Sequence, residues 1–222
     1  MAEKMDAENL IKAFAAMDTC CVSDAADRLG IPCGLLGIKP VNKGAKLCGQ
    51  AFTVHYVPCG TVKGTVGDFL DEVQPGQVVV IDNAGRDYCT VWGDLMTISS
   101  ANRGIGGTVI DGVCRDVPTI CKLGYPIFTK GTYMVTGKDR VQVDAVNIPV
   151  AVSGIQIKPG DILLGDDTGV IAIPLEHAAE VLEVTGEIAK KEAKIERALS
   201  EGKLLGEARA SVNYHSLQTR QK

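Results

Sequence analysis

Two short segments carry side chains that could bind and activate a small anionic molecule. The first, residues 92–96, contains Asp94, and the second, residues 112–116, ends in Arg115 and Asp116. A guanidinium can hold a carboxylate through two parallel hydrogen bonds. A carboxylate can ligate a hard divalent cation such as Mg²⁺, whose other positions are filled by water and substrate oxygens. These residue types therefore indicate a site for an oxygen-rich anion beside a cation.

Each of these residues also has an ordinary structural explanation. Arg115 and Asp116 could form an ion pair that binds nothing else, and Asp94 could be an acidic residue favoured by the dipole at a helix start. The combination of Asp94 with Arg115-Asp116 favours a ligand-binding site, because twenty residues separate Asp94 from Arg115 and both segments are predicted at strand-to-helix turns. The residue pattern alone leaves both interpretations open.

The first segment is predicted to open a helix over residues 95–101. The first amides of a helix have no partner within it, so they can bind a carboxylate or phosphate. We expect such unpaired amides at Gly93, Asp94, Leu95 and Met96.

The second segment follows a predicted strand over residues 108–110 and a tight turn predicted at Asp111-Gly112. It precedes a helix predicted over about residues 117–123. Both segments would therefore emerge at the carboxyl ends of strands, where ligands usually bind in α/β sheets.

Short β-branched runs, Gly-marked turns and helical stretches alternate along the middle of the chain. The strands are predicted at residues 51–57, 78–81, 108–110, 126–129, 148–152, 161–164 and 170–173. Strands and helices alternate in the first half, whereas several strands follow one another from about residue 126. This order predicts an α/β sandwich with a mixed sheet.

The first 30 residues are predicted to form two helices, and residues 31–45 a loop rich in Gly, Pro and Lys. Leu10, Ile11, Phe14 and Met17 follow the helical period. Ser23 is the predicted N-cap of the second helix, which would stop at Gly30.

A long C-terminal helix is predicted from Pro174 to about residue 200. It carries an apolar stripe at roughly heptad spacing, typical of a helix packed on its own domain or on another subunit: Val181, Val184, Ile188, Ile195 and Leu199. Glu192 interrupts this stripe. It could be a rim residue paired with a neighbouring Lys, or a carboxylate delivered into a site.

Composition excludes several classes of protein. The 222 residues carry a formal charge of −4, so the chain lacks the basic surface of a dedicated nucleic-acid binder. No stretch approaches the ~18 apolar residues of a membrane span, and the acidic start is unlike a signal peptide. We expect a single cytoplasmic domain over 1–222, with N-terminal helices at 1–30, the sandwich at 31–173, the C-terminal helix at 174–202 and a tail at 203–222.

The chain has eight cysteines but no C-x-x-C spacing, and its three histidines lie far apart in sequence. This pattern does not predict a zinc site. In a cytosolic chain we expect the cysteines to be small apolar core residues, although a catalytic Cys-His pair is the alternative.

The chain resembles a known family. Asp94, twenty intervening residues and Arg115-Asp116 match the D-x20-R-D signature of the class II pyruvate aldolases acting on 4-hydroxy-4-methyl-2-oxoglutarate and 4-carboxy-4-hydroxy-2-oxoadipate. These enzymes share a superfamily with the regulator of ribonuclease E activity A. Further matching segments are residues 22–25, 49–54, 75–80, 107–112, 159–161 and 166–170.

The resemblance implies an α-β-β-α sandwich similar to the swivelling phosphohistidine domain, assembled as homotrimers or homohexamers with sites between subunits. It implies that the amides of residues 93–96 and the side chain of Arg115 bind substrate. Asp116 would ligate Mg²⁺ or Mn²⁺, and Asp94 would order a metal-bound water. Glu192 would reach the neighbouring subunit's site.

One residue and one loop near the second segment lie outside the D-x20-R-D signature. Lys130 stands where many relatives have a basic residue before Gly, and its role stays open. Residues 132–139 form a polar loop that departs from the aldolase pattern.

The implied activity is metal-dependent cleavage of a 4-hydroxy-2-oxo acid to pyruvate, with decarboxylation of oxaloacetate as a second activity through the same enolate. The alternative function is a non-catalytic regulator that binds a ribonuclease. It rests on superfamily membership alone.

Overall fold

The computed structural model describes residues 6–212 of the chain. The helices are α1 Ala7–Phe14, α2 Thr19–Leu29, α3 Asp94–Asn102, α4 Val117–Leu123, α5 Ala178–Ser200 and α6 Leu205–Ala210, with 3-10 turns at Asp68–Glu72 and Leu175–His177. The strands are β1 Lys39–Pro40, β2 Leu47–Pro58, β3 Val78–Thr90, β4 Gly107–Cys114, β5 Ile127–Thr132, β6 Val141–Val146, β7 Val150–Val152, β8 Ile155–Ile157, β9 Ile162–Asp166 and β10 Gly169–Ile173.

A mixed sheet organises these elements in the order β1-β5-β4-β3-β2-β9-β10. Strands β2, β3, β4 and β5 are parallel to one another, whereas β1 runs antiparallel to β5. Strand β2 is long enough for its first half to pair with β9 and its second half with β6, both antiparallel. The β7–β8 hairpin forms a separate two-stranded sheet. The mixed sheet predicted from the sequence is confirmed.

The period-2 alternation of the strands assigns their side chains to different cores. Val78 and Val80 of β3 join a core with Leu163 of β9 and with β7–β8, whereas Val79 and Ile81 face the opposite core beneath α4. Strand β10 contributes Val170 and Ala172 to the core that contains Val78 and Val80. It contributes Ile171 and Ile173 to a third core, formed with α1, α2 and α5. The layers are therefore helix, strand, strand and helix, as the fold class predicts.

The second helix begins earlier than predicted. Helix α2 starts at Thr19, and its N-cap is Asp18, whose carboxylate accepts a hydrogen bond from the Cys21 amide at 2.9 Å. The predicted N-cap Ser23 is therefore wrong, because the acidic side chain of Asp18, five residues earlier, already accepts a hydrogen bond from the first turn. The predicted stop is confirmed, since Gly30 adopts the left-handed conformation at φ 73°.

Two central strands run further than predicted. Strand β3 continues to Thr90 and β4 continues through Asp111 and Gly112 to Cys114, so the tight turn predicted at Asp111-Gly112 is absent. Register shifts between β3 and β4 accommodate the polar residues there, and a sequence pattern contains no signal for such shifts. The short strands β1, β6 and β8 were not predicted.

The C-terminal helix is confirmed, with a 3-10 turn after Pro174 and then α5 over 23 residues. The end of its apolar stripe was assigned wrongly, because Leu199 is 39% exposed and the smaller Ala198 is buried. Ala198 packs with Ile195 and with Ala208 of α6, which lies in the predicted tail. Residues 213–222 of that tail lie outside the described residues. Among residues 6–212, no helix is long and apolar enough to cross a membrane.

All eight cysteines are free thiols, and they divide into four that are buried, two of intermediate exposure (Cys48 and Cys59) and two that are exposed. Cys21, Cys33, Cys89 and Cys114 are buried, as core residues should be. Burial raises the pKa of Cys33 to about 11 and that of Cys114 to about 12, so neither thiol ionises near neutral pH. Cys20 and Cys121 are exposed, and the prediction of a core role is wrong for these two.

Candidate active site

A cavity of about 410 Å³ lies at the carboxyl ends of β3 and β4. Its lining comes from three parts of the chain: residues 64–68, which lead into the first 3-10 turn, residues 90–96 with Arg115, and the loop residues Thr136 and Lys138. The sequence predicted ligand binding at this edge of the sheet, and the structure places residues 93–96 and Arg115 there.

The start of α3 is fixed against the core below the cavity. Trp92 is buried and its ring is parallel to that of Tyr125, with centroids 6.1 Å apart. The indole N–H of Trp92 donates to Thr97 Oγ1 at 2.9 Å, and Thr97 Oγ1 donates to the Gly93 carbonyl at 2.8 Å. These contacts hold the first turn of the helix in one orientation, which a binding site needs.

Asp116 joins the two segments. It is the N-cap of α4 and adopts a left-handed backbone at φ 59°, a conformation that Asp and Asn tolerate better than most residues. Its Oδ2 accepts a hydrogen bond from the Asp94 amide at 3.1 Å and lies 3.4 Å from Arg115 Nε. The Arg115 amide donates to the Trp92 carbonyl at 3.0 Å. The structure thus brings Asp94, Arg115 and Asp116 together.

Two of the four amides expected to be unpaired already have partners. The Asp94 amide donates to Asp116, and the Leu95 amide donates to Asp94 Oδ1 at 2.8 Å. Across residues 6–212, no acceptor faces the amides of Gly93 and Met96. The expectation is therefore wrong for Asp94 and Leu95, because the carboxylates of the site cap the helix themselves.

The charged groups of the site remain accessible from solvent. The side chains of Arg115 and Asp116 are 40% and 36% exposed. Oδ1 of Asp116 receives no hydrogen bond within the described part of the chain, so one carboxylate oxygen is open. That oxygen is a hard donor suited to Mg²⁺ or Mn²⁺. No group of three or more His, Cys, Asp or Glu among residues 6–212 forms a cage for a metal ion.

Lys130 does not line the cavity. Its ammonium forms an ion pair with Asp111, whose side chain is 7% exposed, and Asp111 Oδ2 accepts a hydrogen bond from the Ser153 amide at 3.1 Å. Lys130 thus pairs from the solvent side with a buried carboxylate beneath the β7–β8 hairpin. Removing the ammonium of Lys130 would leave the buried carboxylate of Asp111 without a cationic partner.

Glu192 also lies outside the cavity of its own chain. It is half-buried on α5 and forms no ion pair with Lys or Arg in the described range 6–212, so the predicted rim pairing is absent. Burial and then the neighbouring carboxylates Asp24 and Asp18 raise its pKa above the usual Glu range. Delivery of Glu192 to a neighbouring subunit's site stays a prediction.

The raised pKa of Glu192 gives a stability prediction. A folded-state pKa above the unfolded value means that ionisation of Glu192 disfavours folding at neutral pH. We expect Glu192→Gln to raise Tm by about 1–2 °C at pH 7, a small gain because water screens a half-exposed group. The gain should vanish as the pH falls below 4, where Glu192 is protonated in both states. Thermal melts at both pH values, with Glu183→Gln on the same helix as control, test this.

Several residues of the cavity were not predicted as site residues. The loop residues Thr136 and Lys138 reach the cavity because their loop is hydrogen-bonded to Thr90 at the end of β3. The segment 64–68 reaches it beside β6, whose Val143 amide donates to the Thr65 carbonyl. The polar character of the 132–139 loop was visible in the sequence. The position of this loop at the cavity could not be predicted, since no local pattern encodes a contact between a loop and a distant strand end.

Comparison with known proteins identifies the family of the chain. The family model described as RraA-like, Aldolase/RraA, matches residues 19–172. The chain belongs to this RraA-like family. A relative in Halalkalibacterium halodurans, provisionally named a 4-hydroxy-4-methyl-2-oxoglutarate aldolase, is 32% identical over 193 residues, which cover 87% of this chain and 90% of that protein.

Two further relatives of this RraA-like chain differ in size or in named role. Protein DlpA of Legionella pneumophila is 40% identical over 209 residues, 93% of this chain, but the chain spans only 34% of DlpA. The solved structure of RraAS2 from Streptomyces coelicolor, described as an unusual member of the RNase ES inhibitor RraA protein family, superposes with a TM-score of 0.78 at 28% identity. The match covers 87% of this chain and 98% of that one.

Proposed function

We propose that the protein is a divalent-metal-dependent aldolase that cleaves a 4-hydroxy-2-oxo acid of the 4-hydroxy-4-methyl-2-oxoglutarate type to pyruvate. The observation that carries the proposal is that Asp94 and Arg115 line one cavity and that Asp116 contacts both of them. The aldolase name of the Halalkalibacterium halodurans relative supports it. Decarboxylation of oxaloacetate is proposed as a second activity, because it passes through the same pyruvate enolate.

The donor set fits a metal ion that is bound by few protein groups. Asp116 offers one open carboxylate oxygen, and Mg²⁺ characteristically binds through one or two carboxylates with water and substrate oxygens in its other positions. We propose that Asp116 holds Mg²⁺ or Mn²⁺ together with the 2-oxo acid. When bound, such a cation would act as a Lewis acid that stabilises negative charge on the 2-oxo oxygen.

The remaining groups have roles that follow from their positions. The open amides of Gly93 and Met96 can bind the carboxylate next to the 2-oxo group, and the Arg115 guanidinium can bind substrate oxygens. Asp94 uses Oδ1 for the Leu95 amide, which leaves Oδ2 to accept a proton through a water molecule.

The reaction balances with these groups. The base removes the proton of the C4 hydroxyl, the C3–C4 bond breaks, and its electron pair stays on C3 as the enolate of pyruvate. C4 becomes a carbonyl, and protonation of C3 completes the second product. For 4-hydroxy-4-methyl-2-oxoglutarate, both products are pyruvate.

A coupled assay for pyruvate tests the proposed function. Metal-free protein reconstituted with Mg²⁺ or Mn²⁺ is expected to release pyruvate from 4-hydroxy-4-methyl-2-oxoglutarate and from oxaloacetate, and a chelator is expected to stop the release. Free metal without protein is the control, because metal ions alone decarboxylate oxaloacetate. Absence of metal-dependent pyruvate from both substrates would exclude the aldolase.

Assembly into homotrimers or homohexamers is part of the proposal. The half-buried carboxylate of Glu192 has no cationic partner in the described part of its own chain, which suits a role in a neighbouring site. Light scattering measures the mass of the assembly directly. A monomer with full activity would show that Glu192 plays no such role.

A second candidate is a regulator that binds a ribonuclease. The likeness to RraAS2, whose description names an RNase ES inhibitor family, favours it. Inhibition of ribonuclease E by micromolar protein, with Asp116→Asn behaving like the wild type, would support a surface-mediated role that does not use the cavity.

A further inference from the structure

The loop over residues 132–140 is fixed to the end of β3 by its backbone. The Thr90 amide donates to the Val135 carbonyl at 2.9 Å, and Thr90 Oγ1 donates to the same carbonyl at 3.0 Å. A Cβ atom built on Gly137 would lie 2.3 Å from the Thr90 carbonyl oxygen, so the approach requires glycine. The loop is therefore seated in one position on the rim of the cavity.

The seated loop directs Lys138 to the cavity. The Lys138 amide donates to Thr136 Oγ1 at 3.2 Å, and both residues line the cavity with Arg115 and Asp94. The guanidinium of Arg140 donates to the Thr136 carbonyl at 3.1 Å, and this hydrogen bond stabilises the turn over residues 136–140. The backbone of Lys138 is thus fixed at the rim of the cavity, and its side chain is exposed there.

The charge of Lys138 is available to a ligand. Its neighbour Asp139 pairs with Lys63 at 2.7 Å, and within residues 6–212 no carboxylate lies within ion-pair distance of the Lys138 ammonium. Arg115 differs, because its Nε faces Asp116 at 3.4 Å. The cavity therefore has one cation next to the proposed metal ligand and a second, unpaired cation on the opposing loop.

We infer that Lys138 is a specificity residue that binds the distal carboxylate of a dicarboxylic 2-oxo acid. The inference rests on the proposed function for the identity of the first carboxylate, which the α3 amides and Arg115 would bind. Two cationic positions on separate elements suit a substrate with a carboxylate at each end. A 2-oxo acid with a single carboxylate would leave Lys138 without a partner.

Binding measurements test this inference without requiring turnover. Calorimetric titrations in the presence of Mg²⁺ would compare 2-oxoglutarate, which has a distal carboxylate, with pyruvate, which lacks one. Lys138→Met is expected to weaken 2-oxoglutarate binding about fivefold, the scale of an accessible ion pair, and to leave pyruvate binding unchanged. Lys138→Arg should retain most of the affinity. Lys12→Met removes the same charge from α1, where Lys12 pairs with Glu8, and serves as the control.

The outcomes separate this inference from the proposed function. Equal effects of Lys138→Met on both ligands, or no effect on either, would overturn the role of Lys138. Failure of the wild type to bind 2-oxoglutarate would overturn it as well. A selective loss of 2-oxoglutarate affinity in a protein that releases no pyruvate would uphold the carboxylate site and reject the aldolase.

Discussion

Replacement of Asp116 by Asn is expected to lower metal-dependent pyruvate release by at least about 100-fold, the effect typical of losing a principal electrostatic group in an active site. The open Oδ1 of Asp116 is the proposed metal-binding oxygen. In Asn the single side-chain oxygen takes the place of Oδ2, and a neutral NH₂ group, which cannot ligate a cation, takes the place of Oδ1. Asn tolerates the left-handed backbone at φ 59° and can still accept the Asp94 amide hydrogen bond. The substitution should therefore remove the charge and preserve the geometry.

The measurement is the initial rate of pyruvate release over a range of Mg²⁺ and Mn²⁺ concentrations. Added metal is expected to restore little activity, and Tm should stay close to that of the wild type. Asp71→Asn is the control, since the Asp71 side chain is 94% exposed and lies outside the cavity. A wild-type rate and metal dependence in Asp116→Asn would contradict the assignment of Asp116 as the metal ligand.

The parts of the fold that depend on local signals were predicted well. Helix α4 has the predicted bounds, 117–123, because Pro118 and Gly124 mark its two ends. The meeting of Asp94 with Arg115-Asp116 also follows from sequence, since the residues after two adjacent parallel strands lie at one edge of the sheet.

The parts that were missed depend on contacts between distant segments. The amide of Asp94 is satisfied by Asp116, a partner 22 residues away, and no pattern within α3 indicates this. Lys130 forms an ion pair with Asp111 because β4 and β5 are neighbouring strands. Lys138 lies at the cavity because its loop is hydrogen-bonded to Thr90 through the Val135 carbonyl. In each case a tertiary hydrogen bond or ion pair decides the role of the residue, and its partner is far away in the chain.

Gly93→Ala is the second substitution with a large expected effect, because it disturbs the site without changing any charged residue. A Cβ atom at position 93 would lie 2.7 Å from Asp116 Oδ2 and 3.1 Å from Arg115 Nε. Real Cβ atoms essentially never approach other heavy atoms as closely as 2.7 Å. The backbone at φ −151° is allowed for alanine, so the collision and not backbone strain causes the effect.

The carboxylate of Asp116 must move away, which breaks its hydrogen bond with the Asp94 amide and displaces the proposed metal ligand. We expect a loss of about 100-fold in pyruvate release together with weaker Mn²⁺ binding, since a displacement of 1 Å at a site is enough for an effect of this size. Paramagnetic titration with Mn²⁺ measures the affinity independently of turnover.

Gly206→Ala is the matched control, because nothing lies within 4 Å of a Cβ atom at position 206 in α6. It should keep the wild-type rate and Mn²⁺ affinity. If Gly93→Ala also kept both, the position of the Asp116 carboxylate over α3 would not matter for catalysis. Loss of the rate with unchanged Mn²⁺ affinity would instead place the damage in the substrate-binding groups, Arg115 and the open amides.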